Sequence, residues 1–209
     1  MVERIDYFFS FRSPFCWLAL RKMRACPMLR DFDVVHLPIW PQVVPPVFHT
    51  EEKVTYMNED MLRLKAKHGM DFALPTIFDC EWSLPHGAFL AAQDRGHGAD
   101  FAEALFTARF TRDQDLGSTA VIGEIAERLG LDGDDIIREA RDLHMLARLA
   151  KMRVRFVQAK GFGAPLWVVR NERFWGQDRF DDLCERLSSL AERPSQNSKV
   201  GRSSKTGRG

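Results

Sequence analysis

No apolar run in this chain of 209 residues approaches the roughly 20 residues that a helix needs to cross a bilayer. Nor does the N-terminus show a charged leader, an apolar stretch and a small-residue cleavage site, so a cytoplasmic protein is expected. Cysteine is sparse: Cys16, Cys26, Cys80 and Cys184 are widely separated, with no C-x-x-C pair. H-x-x-x-H is also missing, so the spacing offers no metal site, and in a reducing cytosol most of these thiols are expected to be free. The six histidines (His36, His49, His68, His86, His97 and His144) show no ligand spacing and read as surface or satisfied core residues. No Gly-x-Ser-x-Gly occurs, so a serine-hydrolase elbow is not supported. Tyrosine is rare, two against 16 Phe and five Trp, so the aromatic content is apolar and suits a core or a pocket. No internal repeat is visible.

A large excess of one charge is also lacking. The formal net charge is +1, but it is unevenly placed. Arg193 to Gly209 holds Arg193, Lys199, Arg202, Lys205 and Arg208 and no acidic residue. Without those five the chain has 25 basic against 29 acidic residues, a net of −4. A general nucleic-acid binder would concentrate basic charge on its folded part, so that class is set aside. Residues 193–209, rich in Ser, Gly, Lys and Arg without apolar periodicity, read as a disordered, solvated tail.

The rest of the chain is organised around Phe8-Phe9-Ser10-Phe11-Arg12-Ser13-Pro14-Phe15-Cys16-Trp17. The apolar run before it reads as a buried strand. Ser13 suits a helix N-cap and Pro14 the first helical position. A hydroxyl is thereby placed where a strand ends and a helix begins, a point whose partial positive charge favours an anion such as a thiolate. Cys16 follows on the same helical face, so the layout is the Cys-x-x-Cys of thioredoxin-like proteins with serine in the first position.

Taken in order, Val2–Phe9 reads as a strand, Pro14 to about Ala25 as a helix and Phe32–Leu37 as a second strand: a βαβ unit with parallel strands. Residues 38–46 carry four prolines and read as an ordered loop. A helix capped by Thr50 starts at Glu51 and ends at Gly69. Leu74-Pro75 and Leu84-Pro85 bracket an irregular segment. Helical patterns then run over His86–Asp94, Asp100–Phe110, Ser118–Leu129 and Asp134–Lys160, the last with a break. Leu166–Val169 and Arg173–Trp175 form a hairpin about an Asn171-Glu172 turn, and Asp178 can cap a final helix. The expected architecture is α/β: a thioredoxin-like fold, β-α-β … β-β-α, from residues 1–50 and 161–192, with a large all-helical insertion at 51–160. A ligand cleft is expected between the two lobes.

Several constellations carry two readings each. Ser13 is a plain cap or a catalytic donor, and Cys16 a buried structural thiol or a redox group. In Phe162-Gly163-Ala164-Pro165, the proline suits a strand start, and a cis bond there would offer the Ala164 backbone to a ligand by strand addition. Gln177 and Asp178 form a helix cap, or bind the ammonium and carboxylate of an amino-acid-like group.

Four of these motifs together resemble one family. Phe11-x-Ser13-Pro14-Phe15, Lys53-x-x-Tyr56-Met57-x-x-Asp60-Met61, Phe162-Gly163-x-Pro165 and Phe174-Trp175-Gly176-x-Asp178-Arg179 are collinear with signatures of 2-hydroxychromene-2-carboxylate isomerases and kappa-class glutathione transferases, DsbA-like members of the thioredoxin superfamily. The resemblance covers about residues 4 to 190. It implies glutathione as cofactor, with Ser13 donating a hydrogen bond to its sulfur and Lys53 as a cation at the pocket. It also implies that Ala164 pairs with the cysteinyl unit, that Pro165 is cis, and that Gln177 and Asp178 hold the γ-glutamyl end. The implied activity is isomerisation of an aromatic ring-cleavage product bearing a carboxylate, by a homodimer. Two alternatives stand beside it: a kappa-like glutathione transferase or thiol oxidoreductase using Cys16, and a non-catalytic binding protein.

Overall fold

Alternation along the first strand sets the layers of the molecule. The computed structural model describes residues 2–39 and 50–197. In chain order these form β1 (Arg4–Phe9), α1 (Pro14–Arg24), a 3-10 turn (Pro27–Asp31) and β2 (Asp33–Pro38). Next come α2 (Glu51–His68), α3 (Ser83–Asp94), α4 (Gly98–Phe110), α5 (Thr119–Arg128), α6 (Gly133–Ala140) and α7 (Leu143–Gln158). The chain closes with β3 (Leu166–Val169), β4 (Glu172–Trp175), a 3-10 turn (Gln177–Arg179) and α8 (Phe180–Asn197). The sheet order is β2-β1-β3-β4, parallel between β1 and β2 and antiparallel across β1–β3 and β3–β4. This is the expected thioredoxin-like β-α-β … β-β-α arrangement with helices inserted between its halves.

Successive side chains of a strand point to opposite faces. Ile5, Tyr7 and Phe9 therefore join the main core with Trp17, Phe89, Trp167 and Leu183, while Phe8 faces the smaller cluster of Leu37, Ile39 and Leu166. The Trp167 ring stacks on Tyr7 at 5.4 Å and its indole N–H donates to Met23 Sδ at 3.3 Å. On the other face Phe156 of α7 meets Phe8 edge-on at 5.4 Å, and Arg155 pairs with Asp6. Burial on both faces is why β1 reads as nearly continuous apolar sequence at its C-terminal end. Among the described residues, no helix is long and apolar enough to cross a membrane.

Helices α3 and α6 approach closely at Gly87 and Ala140. A Cβ added at Gly87 would lie 2.6 Å from the Ala140 carbonyl oxygen, a backbone atom with no side-chain freedom to yield. Gly87→Ala is therefore expected to lower unfolding stability by about 1–3 kcal/mol, the usual range for overpacking; an unchanged denaturant midpoint would show that the two helices separate without cost.

Several boundaries differ from the sequence expectation or are sharpened by the structure. Helix α3 starts at Ser83 rather than His86, because Pro85 falls in the first turn, where no intrahelical N–H bond is lost. The break in the long helical pattern lies at Arg141–Asp142, where the Asp142 carboxylate accepts from the His144 N–H at 2.6 Å and starts α7. The hairpin turns at Arg170-Asn171, not Asn171-Glu172: Glu172 pairs with Val169 in the ladder, and Arg170 takes the left-handed conformation at φ 54°. Asp178 does not cap the last helix but sits within the 3-10 turn that precedes it. That helix runs to Asn197, past the expected start of the tail at 193. The proline-rich loop beyond Ile39 and the tail from 198 lie outside the described residues.

Candidate active site

Strand register gathers the sequence motifs at one end of the sheet. β1 ends at Phe9, opposite Pro38 of β2, and the Ile39 N–H donates to the Phe9 carbonyl at 2.8 Å. On the other side Phe8 pairs with Leu166, so the antiparallel register carries Pro165 and Ala164 alongside the segment that follows Phe9. Leu166 pairs in turn with Trp175, and the Gly176 N–H donates to the Pro165 carbonyl at 2.9 Å. The Ser13 loop, the Ala164-Pro165 peptide and the turn bearing Gln177 and Asp178 thus share this end.

The loop from Ser10 to Ser13 has its backbone donors satisfied one by one. The Ser10 N–H reaches Cys16 Sγ at 3.4 Å, the Phe11 N–H donates to His86 Nε2 at 3.3 Å, and the Arg12 N–H donates to Ser10 Oγ at 3.3 Å. The Ser13 N–H donates to the Ser10 carbonyl at 3.1 Å. His86 is fully buried, and its Nδ1 lies 2.6 Å from the Trp82 carbonyl, so Nδ1 carries the proton and Nε2 is the acceptor that holds the loop. Ser13 has the extended backbone of an N-cap, with φ −100° and ψ 119°, but its hydroxyl makes no cap hydrogen bond. The hydroxyl instead reaches the Cys16 sulfur. A thiol sulfur is a weak acceptor, so this hydroxyl at a helix N-terminus can turn to a ligand anion instead.

Cys16 is 0% exposed, beneath the loop rather than in the cleft. Burial pushes its thiol up to about 12, outweighing the opposing bonds from the Ser10 N–H and the Ser13 hydroxyl. A thiol so held is neutral at physiological pH and out of reach of substrates, the reverse of a reactive cysteine. This burial argues against the readings that use Cys16 as a redox group.

The Ala164-Pro165 bond is cis, and Ala164 lies outside the β1–β3 ladder, which begins at Leu166. Trp175 backs this loop: its ring lies 4.7 Å from that of Phe162, and a Cβ at Gly163 would fall 2.4 Å from its Nε1. The two carboxy-terminal motifs are therefore one packed unit. Gln177 is 8% exposed, and its Oε1 is a buried acceptor without a partner among the described residues. Its backbone carbonyl accepts from Lys22 Nζ at 2.9 Å, which ties the turn to α1. Asp178 is exposed, 3.4 Å from the Arg179 guanidinium. Lys53 is exposed in the first turn of α2, which Thr50 Oγ1 caps at 3.3 Å, and it makes no hydrogen bond or ion pair to the Ser13 loop among the described residues.

Sequence spacing did not single out three residues beside this loop. The Arg12 guanidinium lies 5.0 Å above the ring of Phe78, which is 68% exposed, and makes no ion pair among the described residues. Arg109, 1% exposed, fixes Phe78 from below: it donates to the Ile77 and Phe78 carbonyls at 3.2 and 2.9 Å and stacks on Trp82 at 4.7 Å. The irregular segment between the two Leu-Pro pairs is thus held against Arg12, the residue before Ser13. Arg12 occupies the variable place in Phe11-x-Ser13-Pro14, so only its charge could have marked it.

A profile of the DSBA-like thioredoxin domain matches residues 4–188. The chain belongs to this DsbA-like family. Within it, the chain is 31% identical over 196 residues to a 2-hydroxychromene-2-carboxylate isomerase of Sphingobium xenophagum, spanning 88% of this chain and 97% of that protein. The family placement is therefore that of an isomerase-related DsbA-like enzyme. Among solved structures the fold is similar to a 2-hydroxychromene-2-carboxylate isomerase, with TM-score 0.80 and 18% identity over 92% of this chain and 98% of that one. It is also similar to the cytosolic disulfide reductase DsbM of Pseudomonas aeruginosa with GSH, with TM-score 0.66 and 16% identity over 92% of this chain and 99% of that one. Both likenesses, at such low identity, concern the fold.

Proposed function

We propose that this DsbA-like chain is a glutathione-dependent isomerase of the 2-hydroxychromene-2-carboxylate type. The observation that carries the reading is the convergence of a Ser13 hydroxyl that makes no cap bond and meets only the Cys16 sulfur, the cis Ala164-Pro165 loop and the unpartnered Gln177 Oε1 at one end of the sheet. The donor set fits the cofactor. Ser13 suits a thiolate, the Ala164 backbone suits a peptide lying alongside it, and the Gln177 carbonyl oxygen suits an ammonium donor. The 31% identical relative and the GSH-containing DsbM structure support this assignment.

Bound glutathione would supply a thiolate nucleophile for reversible addition to a conjugated substrate. The chain's own contribution is positioning and charge. The Ser13 O–H donates to the sulfur and, with the α1 N-terminus, favours its anion. Ala164 holds the cysteinyl backbone, Gln177 and Asp178 hold the γ-glutamyl end, and Lys53 adds a cation at the pocket. Arg12 faces the substrate carboxylate and Phe78 its ring. The same reading carries an aromatic carboxylate as substrate, a homodimer and a cytoplasmic setting.

Calorimetric titration of the purified chain with reduced glutathione tests the first half: saturable binding is expected, and none at millimolar concentration would end the proposal. Arg12→Gln tests the second. It should leave glutathione binding unchanged while raising substrate KM by about 10-fold or more, the loss of one charge-assisted contact worth roughly 1.5–3 kcal/mol. An unchanged KM would take Arg12 out of substrate binding.

A further inference from the structure

Two of the four cysteines stand against each other on the far side of α1 from Ser13. Cys26 follows the last residue of α1's cap, Ala25, and opens the 3-10 turn Pro27–Asp31. Cys184 sits in the first turns of α8. Their sulfur atoms are 3.9 Å apart, although 158 residues separate them in sequence. Both are half-buried, neither sealed in the core like Cys16 nor, like Cys80, without a sulfur neighbour among the described residues.

We propose that Cys26 and Cys184 form a redox-active dithiol, oxidised to an intramolecular disulfide by glutathione disulfide and returned to the thiol form by reduced glutathione. Closing the bond asks the sulfurs to approach from 3.9 Å to about 2.05 Å, a movement on the scale of side-chain rotation. The surroundings favour that approach. The sulfurs sit at the junction of the α1 end and α8, beside Met28, whose Sδ accepts from Ser188 Oγ at 3.4 Å, and the Ser188 hydroxyl also reaches the Cys184 carbonyl at 3.0 Å. One helical turn earlier on α1, Lys22 already bonds to the Gln177 carbonyl at 2.9 Å, so the two segments are braced at the approach distance before any covalent bond forms.

The chemistry balances as two successive exchanges. The Cys26 thiolate attacks one sulfur of glutathione disulfide, forming a mixed disulfide and releasing one glutathione thiolate. Cys184 then gives up its proton and attacks the Cys26 sulfur, and the second glutathione leaves. The protein pair loses two electrons and two protons, and one glutathione disulfide becomes two molecules of glutathione. Burial pushes the Cys184 thiol up to about 12, with Cys26 beside it adding to the rise, so Cys184 suits the second, intramolecular step, where the high local concentration of the mixed disulfide offsets a small thiolate population. The disulfide would staple the helix that begins at Ser13 to the helix that follows Gln177, joining the two segments that carry the candidate site. The inference itself does not depend on glutathione serving as a cofactor of the candidate site, because here the glutathione couple acts only as oxidant and reductant.

The test uses the full chain, incubated folded with glutathione disulfide, then denatured and labelled with a maleimide. Wild type is expected to lose two of its four thiols without retaining a glutathione adduct, and peptide mapping should find Cys26 joined to Cys184. Cys26→Ser and Cys184→Ser should each abolish the cross-link, and Cys184→Ser should trap a glutathione adduct on Cys26, whereas Cys80→Ser should cross-link like wild type. Dithiothreitol should restore all four thiols. Stable glutathione adducts on wild type, unreacted thiols, or a cross-link through Cys16 or Cys80 would each overturn the proposal, and circular dichroism of the variants separates these results from a loss of fold.

Discussion

Ser13→Ala is expected to cut isomerase turnover by about 10²-fold or more, the usual consequence of removing one positioned donor from a developing or resident anion. The substitution is small and structurally mild, because the Ser13 hydroxyl caps nothing. The backbone that positions the loop is held instead by Cys16, His86 and Ser10 through the three N–H groups before Ser13. Alanine should therefore leave the loop and the glutathione contacts at Ala164 and Gln177 in place, and affinity should fall much less than turnover. The pH profile gives the decisive signature. If Ser13 acts by keeping the sulfur ionised, the variant should recover rate as pH rises past about 8.5, where an unassisted thiol ionises. A uniform loss at all pH values would instead mean that the hydroxyl positions the substrate. Unchanged turnover would remove Ser13 from the mechanism and return attention to a binding role.

That the hydroxyl turns to the Cys16 sulfur instead of capping the helix could not be read from the sequence. Ser-Pro at a strand-to-helix junction predicts a cap, and the backbone obeys that rule while the side chain does not. The strand-helix-strand order and the two faces of β1 were legible because period-2 alternation and N1 proline are local signals. The convergence of Ala164-Pro165 with the Ser13 loop was legible only through resemblance, since it depends on antiparallel register between β1 and β3, segments more than 150 residues apart. Wholly hidden were Arg12, Phe78 and Arg109: their relation is set by an irregular segment whose shape comes from backbone carbonyls accepting from a buried guanidinium. Such contacts leave no periodicity. The same holds for Cys26 and Cys184, whose spacing in sequence looks like that of unrelated free thiols.

His86 illustrates the limit most sharply and leads to the second large expectation. In sequence it is one of six unremarkable histidines, and in the fold it is a buried fastener between α3 and the Ser13 loop. Burial lowers its pKa to about 4, against the modest opposing effect of its bond to the Trp82 carbonyl. An unfolded chain would protonate the same ring near 6.5. Between these values the unfolded state binds a proton that the native state does not, so the stability that neutral His86 brings is complete above about pH 6.5 and is lost as pH falls towards 4. A difference of this size amounts to about 3 kcal/mol. Denaturant unfolding followed from pH 7 to 4 should show that decline, and His86→Gln, starting from a lower stability, should show a shallower one. The imidazole resonances of His86 should remain those of the neutral ring down to about pH 4 in the native protein. Protonation would also cost Nε2 its role as acceptor for the Phe11 N–H, loosening the segment that presents Ser13. Acid loss of activity and acid loss of stability should therefore move together in the wild type. If activity instead declines with a midpoint near pH 6.5 while the fold persists, His86 is titrating as an open residue and the fastener argument fails.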